Sequence, residues 1–255
     1  MNSIQTLFSP SRQGDFSTKQ TLTLIGLAAL ASLLIAILPV IGILNYPFRL
    51  LLTIVHELGH GLAALLTGGE FIRFVVFPNG AGLAYTAGGW GPLVTSAGYL
   101  AVAVFGAALI LLGRNLRWSR IALGVIGGVM LAFSLRYGLP SIFSAGHTLS
   151  GLLTTFAGVI FGAFFLWVAL KAAAGWIIFL LHLIAIQAGL TALSDLFGLI
   201  GLSTRFFNAP ANDAQSMAEM TFIPAVVWAI LWVVIAVVLI GGAIWLTWLK
   251  PLRQQ

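Results

Sequence analysis

Two histidines stand four residues apart with a glutamate directly after the first, in the run His56-Glu57-Leu58-Gly59-His60. Residues four apart on an α-helix lie one turn above each other on one face, so both imidazoles could reach a single cation. Glu57 would then stand beside the cation, where its carboxylate could take a proton from a zinc-bound water as that water attacks a carbonyl. The spacing therefore predicts a zinc site suited to peptide-bond hydrolysis.

A catalytic zinc of this kind needs a third protein ligand and one open position. The chain has no cysteine, so nitrogen or oxygen must supply that ligand. Asp195 is the first candidate, because it is the acid at the end of a long apolar run where the membrane could enclose it. It could instead only pair with a basic side chain. Asp213, in a polar stretch, is the second candidate. The remaining acids and histidines are weaker candidates, namely Asp15, Glu70, His147, His182 and Glu219.

The composition is that of a membrane protein. Hydrophobic residues make up 60% of the 255 residues and charged residues only 7%, against about 25% charged in a soluble domain. Although the net charge is +6, the basic residues mostly flank apolar runs, as anchors at lipid headgroups do, so no nucleic-acid partner is expected. We expect an integral, multi-pass protein of a lipid bilayer, in a bacterial plasma membrane or an organellar equivalent.

Apolar runs of about 20 residues, the length that crosses a bilayer, predict an all-α fold with six or seven transmembrane helices. These runs lie at 20–44, 47–67, 91–113, 119–138, 145–170, 172–194 and 222–249. Two stretches fall between the spans. Residues 71–87 contain two β-prone runs around Asn79-Gly80, which favours a small hairpin. Residues 203–221 are polar and are predicted to form a solvated loop or an interfacial segment. We assign 1–19 and 250–255 as polar and basic tails of a single domain, 20–249.

The motif lies in the middle of an apolar run, where ionisable residues are costly and usually functional. An alternative is that its polar residues only hydrogen-bond to one another and pack two helices together.

These residues resemble the site-2 protease group of intramembrane zinc metallopeptidases, in particular its smaller bacterial and plant-type members. The resemblance covers roughly residues 47–249, and its motifs are the helix 55–69, the hairpin-like 71–87, the small-residue run 91–99, and the two aspartate-bearing runs 193–198 and 212–224.

The resemblance implies that His56 and His60 bind Zn²⁺ and that Glu57 activates the water. Better-known members carry the third ligand in an Asp-Gly motif. This chain has no Asp-Gly pair, and Asp195 is followed by Leu196.

The implied activity is hydrolysis of a peptide bond in a membrane-embedded or membrane-adjacent protein or peptide substrate, which could add to the hairpin as an extended strand. Two alternatives remain. One is a catalytically inactive membrane scaffold with the same fold. The other is an ion- or proton-coupled transporter in which His56, Glu57 and Asp195 handle ions.

Overall fold

The computed structural model describes Phe8 and residues 18–37, 42–203 and 212–249. Within these ranges seven helices are long and apolar enough to cross a membrane, so the predicted polytopic all-α fold is confirmed. The predicted tails lie outside the described ranges, apart from Phe8 and the first residues of α1. The elements are α1 (Thr18–Ile37), α2 (Asn45–Leu66), β1 (Glu70–Val76), β2 (Gly82–Ala87), α3 (Gly91–Leu112), α4 (Leu116–Phe133), α5 (Thr148–Lys171), α6 (Ala174–Ser203), α7 (Asp213–Thr221) and α8 (Ala225–Ile244).

The helix that carries the motif, α2, packs closely against α3. Small residues make the close approach possible: a Cβ added at Gly59 would lie 2.6 Å from both the Ala101 Cβ and the Ala97 carbonyl oxygen. Helices in lipid associate largely through such small-residue contacts, because there is no hydrophobic force to drive them together. Gly59, inside the motif, therefore brings the two histidines against the backbone of α3.

The predicted hairpin is present, as the antiparallel pair β1–β2 with a bulge between Phe71 and Arg73. Its turn is built on the Asn-Gly pair. The Asn79 side chain accepts a hydrogen bond of 3.0 Å from the Ala81 N–H, and Gly80 has φ +83°, a left-handed conformation that glycine adopts without a steric penalty. The hairpin folds back along α2, where the Thr53 hydroxyl donates to the Gly80 carbonyl at 2.8 Å.

Two further hydrogen bonds fix the hairpin to the helices behind it. The Ser141 hydroxyl donates to the Phe74 carbonyl at 2.7 Å, and the Val76 N–H donates to the Thr154 hydroxyl at 2.7 Å. Ser141 lies in the connection between α4 and α5, and Thr154 lies in the second turn of α5. Because the hairpin is held on both sides, β2 has a defined position beside α2.

The polar stretch predicted as a loop or interfacial segment contains a helix, α7, in its described part. Asn212 caps it, since its side chain accepts from the Gln215 N–H at 3.1 Å, and Asn is among the residues most favoured at that position. Ala214 and Met217 are fully buried in a core cluster with Leu196 of α6 and Trp232 of α8. Packing against two membrane helices thus orders a sequence whose polarity alone indicates a loop.

Candidate metal centre

The two motif histidines meet as the helical spacing predicts. Their Nε2 atoms are 3.0 Å apart, and their rings are near-perpendicular, with centroids 4.8 Å apart. His60 is buried, whereas the His56 side chain retains 20% of its exposure. One turn of α2 therefore presents two imidazole nitrogens to the same point.

Asp213, the first residue of α7, brings a carboxylate to that point. Its Oδ2 lies 3.3 Å from the His56 Nε2 and 3.4 Å from the His60 Nε2. Among the residues that the structure describes, this is the group whose arrangement could hold a metal ion, with all ligand atoms within 4.8 Å of one another.

The protonation of His60 follows from its second hydrogen bond. Its Nδ1 lies 2.7 Å from the Val94 carbonyl oxygen on α3. A carbonyl oxygen only accepts, so Nδ1 carries the proton, and neutral His60 turns the lone pair of Nε2 toward His56 and Asp213. Metal-binding histidines are commonly oriented by a partner of this kind on the other ring nitrogen.

The three atoms fit a zinc ion. In a tetrahedral site with ligands at about 2.0–2.1 Å, neighbouring ligand atoms are about 3.3–3.4 Å apart, and the observed separations are 3.0, 3.3 and 3.4 Å. The space beside the two nitrogens is preserved by Gly98 of α3, since a Cβ there would contact the Nε2 atoms of both His56 and His60. Three ligands would leave one tetrahedral position open, as in catalytic zinc sites.

The electrostatics keep Asp213 ionised. Burial by itself raises the pKa of this carboxyl. The close contacts of its Oδ2 with the His56 and His60 rings outweigh burial and hold the pKa well below its usual range. Asp213 therefore offers the anionic oxygen that a divalent cation prefers over a protonated acid.

Glu57 lies beside His56, His60 and Asp213 but is not one of these three converging residues. The side chain is buried, with a relative exposure of 4%, and it accepts a hydrogen bond from the backbone of Ala84 on β2. Gly82 lets the strand pass this close, because a Cβ there would contact the Glu57 Oε1. A carboxylate fixed beside two metal-binding nitrogens has the position of a general base rather than of a ligand.

Asp195, the first sequence candidate for the third ligand, lies near the site but outside the converging group. It projects from α6 as an exposed side chain, close enough to His56 for their charges to interact. It is not one of the three residues whose ligand atoms converge. The second candidate, Asp213, is the acid that converges with the two histidines, because α7 folds back onto α3 and α8.

The weaker candidates stand apart from the three converging residues in the described part of the chain. His147 is the N-cap residue of α5, with its Nε2 3.1 Å from the Tyr85 hydroxyl. His182 donates to the Ile178 carbonyl of its own helix at 2.8 Å, not to another helix. Glu70 and Glu219 are exposed. Asp15 lies outside the described residues.

Sequence reasoning missed the residues that support the ligands. The Val94 carbonyl carried no signal, because any residue supplies one. Gly98 belongs to the small-residue start of α3, a pattern that indicates close packing but not what is packed there. Tyr99, whose ring packs edge-on against His56 at a centroid distance of 4.8 Å, is the last residue of that run. Its proximity to the motif could have been inferred only from the pairing of α2 with α3.

Comparison with known proteins gives a family-level match. No curated protein and no solved structure matches the chain. The model of the Peptidase M50B-like family matches residues 24–243, a range that contains the two motif histidines, Glu57 and both candidate aspartates. With seven apolar helices in the described part of the chain, the protein is an integral multi-pass membrane protein, and the chain belongs to the Peptidase M50B-like family.

Proposed function

We propose that this protein is an intramembrane zinc metalloprotease that hydrolyses peptide bonds of membrane-embedded or membrane-adjacent substrates. The observation that carries the proposal is the convergence of His56, His60 and Asp213 beside Glu57. A hydrolytic zinc site requires ligand atoms, here two nitrogens and one carboxylate oxygen, and a general base beside them. Glu57 is an adjacent carboxylate that is not a ligand and can serve as that base.

Zinc held by His56, His60 and Asp213 would supply a Lewis acid that lowers the pKa of a water and polarises a peptide carbonyl. Glu57 takes the proton of that water and later passes it to the leaving amine. The Ala84 hydrogen bond and the strand packed on Gly82 hold the Glu57 carboxylate in one orientation. The Val94 carbonyl holds His60 in the tautomer whose Nε2 can bind the metal.

The substrate reaches this site as an extended peptide. A peptide in a helix keeps its carbonyls in its own hydrogen bonds, so the segment to be cut must unwind. In the two-stranded sheet β1–β2, β2 pairs with β1 on one side only, and the same strand passes Glu57 at Gly82 and Ala84. Addition of the substrate as a strand beside β2 would therefore bring its carbonyls toward the catalytic carboxylate.

The test is Glu57→Gln, which keeps the shape of the side chain and removes its basicity. Proteolysis of single-span reporter proteins in detergent should fall by about 10²–10⁴-fold, the contribution typical of a general base. Zinc content, measured by mass spectrometry of the purified protein, should stay at the wild-type level because Glu57 is not a ligand.

Glu219→Gln is the matched control, since it makes the same chemical change at an exposed acid of α7 and should leave both readings unchanged. Full activity of Glu57→Gln would refute the role of Glu57. Absence of zinc from wild-type protein even after metal is added back would refute the metalloprotease itself.

A further inference from the structure

Asp195 is an ionisable residue on a membrane helix that the zinc chemistry does not use. It lies on α6, whose 30 residues, Ala174–Ser203, form one of the candidate spans. Its side chain is exposed. A charged side chain at membrane depth is costly and is usually retained for a function, so its place beside the site calls for a role.

Asp195 has no part in packing the helix. The side chains that bury α6 against its neighbours are apolar and fully buried, among them Ala192, Leu196 and Leu199. Asp195 directly precedes Leu196 but stays on the exposed flank of the helix. Its removal should therefore leave the packing of α6 intact.

Nor is its charge neutralised by a close partner. The ion pairs formed within the described ranges both involve Asp213. The charges of His56 and Arg49 act on Asp195, but neither residue forms an ion pair with it. Arg49 instead lies against the hairpin turn, where a Cβ at Gly80 would contact its side chain.

Its position also ties Asp195 to bound substrate. Helix α6 runs antiparallel beside α3, since a Cβ at Gly113 would meet His182 and a Cβ at Gly106 would meet Ala188. Seven residues further along each helix, this register places Asp195 level with Tyr99, whose ring packs against the His56 ring. A peptide whose scissile bond lies at His56 and Glu57 must therefore pass within electrostatic range of Asp195.

We propose that Asp195 is a specificity-determining residue that selects a basic side chain, lysine or arginine, within a few residues of the scissile bond. The inference rests on the proposed proteolytic function and names the class of substrate. With zinc in place, Asp213 and Glu57 together would balance the charge of the ion, so Asp195 adds a negative charge without a close ion-pair partner, which a cationic side chain can neutralise.

The experiment uses the full-length protein in detergent with internally quenched peptides that are identical except for Lys, Gln or Glu at one position within three residues of the cleaved bond. Wild-type protein should cleave the Lys peptide at least about tenfold better than the Gln peptide at one such position, which corresponds to about 1.4 kcal/mol. Asp195→Asn should bring that ratio close to one, mainly through KM, and Asp195→Lys should reverse the preference toward Glu.

Control variants distinguish substrate recognition by Asp195 from an ion pair with Arg49 and from metal binding. Glu219→Gln removes a carboxylate of the same chain and should keep the Lys preference. Arg49→Gln should keep it too, whereas loss of the preference there would assign Asp195 to an Arg49 pair and overturn the proposal. Loss of zinc from Asp195→Asn would make Asp195 a metal ligand, and an unchanged Lys preference in that variant would also overturn the proposal.

A binding measurement keeps this test separate from proteolysis. In the Glu57→Gln background, fluorescence anisotropy of the labelled Lys and Gln peptides measures recognition without cleavage. Tighter binding of the Lys peptide that is lost with Asp195→Asn supports the inference even where wild-type protein cleaves neither peptide, a result that would count against the proposed function alone. Equal binding of the two peptides to the parent variant overturns the inference.

Discussion

The metal centre is assembled from two regions that differ in how they hold their ligands. His56 and His60 lie one turn apart on α2, a 22-residue helix fixed against α3, and His60 is also fastened by the Val94 carbonyl. Asp213 lies at the first residue of α7, a nine-residue helix, and its side chain is 25% exposed. One region is a rigid pair of long helices and the other is a short helix packed onto them.

The two regions therefore contribute differently to metal binding. The histidines are pre-organised, because helix geometry and a backbone hydrogen bond place them before any metal binds. The carboxylate depends on the docking of α7, through the buried side chains of Ala214 and Met217. Metal affinity should therefore respond most strongly to changes between α2 and α3, and more gradually to changes in α7.

Gly98→Ala should have the largest effect, because it acts on the rigid region. The added methyl group would contact the Nε2 atoms of His56 and His60, so the rings must turn away from the position in which they bind zinc. Overpacking of a tight site typically costs about 1–3 kcal/mol. Because the added methyl group contacts both ligand atoms, we expect the upper end of this range, a fall in zinc affinity of about 150-fold. Competition with a fluorescent zinc chelator measures the affinity.

Gly128→Ala on α4 is the control for this substitution, since a Cβ there has no neighbour within 4 Å. It should keep wild-type affinity. Wild-type affinity in a folded Gly98→Ala protein, judged by gel filtration and thermal unfolding, would contradict the position assigned to the metal.

Asp213→Asn should have an intermediate effect. The amide keeps an oxygen that can face the metal, but it removes the negative charge, and the two histidines remain in place. We expect zinc affinity to fall by about 10- to 100-fold, comparable to the loss of a supporting group at other metal sites. The same chelator competition applies, and an affinity equal to that of wild type would remove Asp213 from the ligand set.

Asn212→Ala should have the smallest effect, because it loosens α7 without touching a ligand. Loss of an N-cap costs about 1 kcal/mol, so zinc affinity should weaken by roughly fivefold. Asn115→Ala removes the equivalent cap of α4, where the Asn115 side chain accepts from the Arg117 N–H at 2.7 Å, and should not change zinc affinity. Equal effects of the two substitutions would show that α7 is not specially coupled to the metal.

The sequence predicted the elements that local rules determine. Apolar runs gave the spans, the Asn79-Gly80 pair gave the hairpin turn, and helical spacing gave the convergence of His56 and His60. Choosing between Asp195 and Asp213 depends on how α7 docks after a long separation in the chain, and no local pattern encodes that. A membrane span could enclose Asp195, and for that reason the sequence favours it. In the structure, a short helix that folds over the site encloses Asp213 instead.

The wide separation between ligands has a consequence for the biosynthesis of the chain. The histidines leave the ribosome about 150 residues before Asp213, which at usual rates of synthesis is roughly 10–30 s. Throughout that interval the nascent chain holds two of the three ligands, which bind zinc more weakly than the full set. If the proposed function is correct, a protease assembled in this order could not cut neighbouring chains at the translocon until nearly all of its own helices had been inserted.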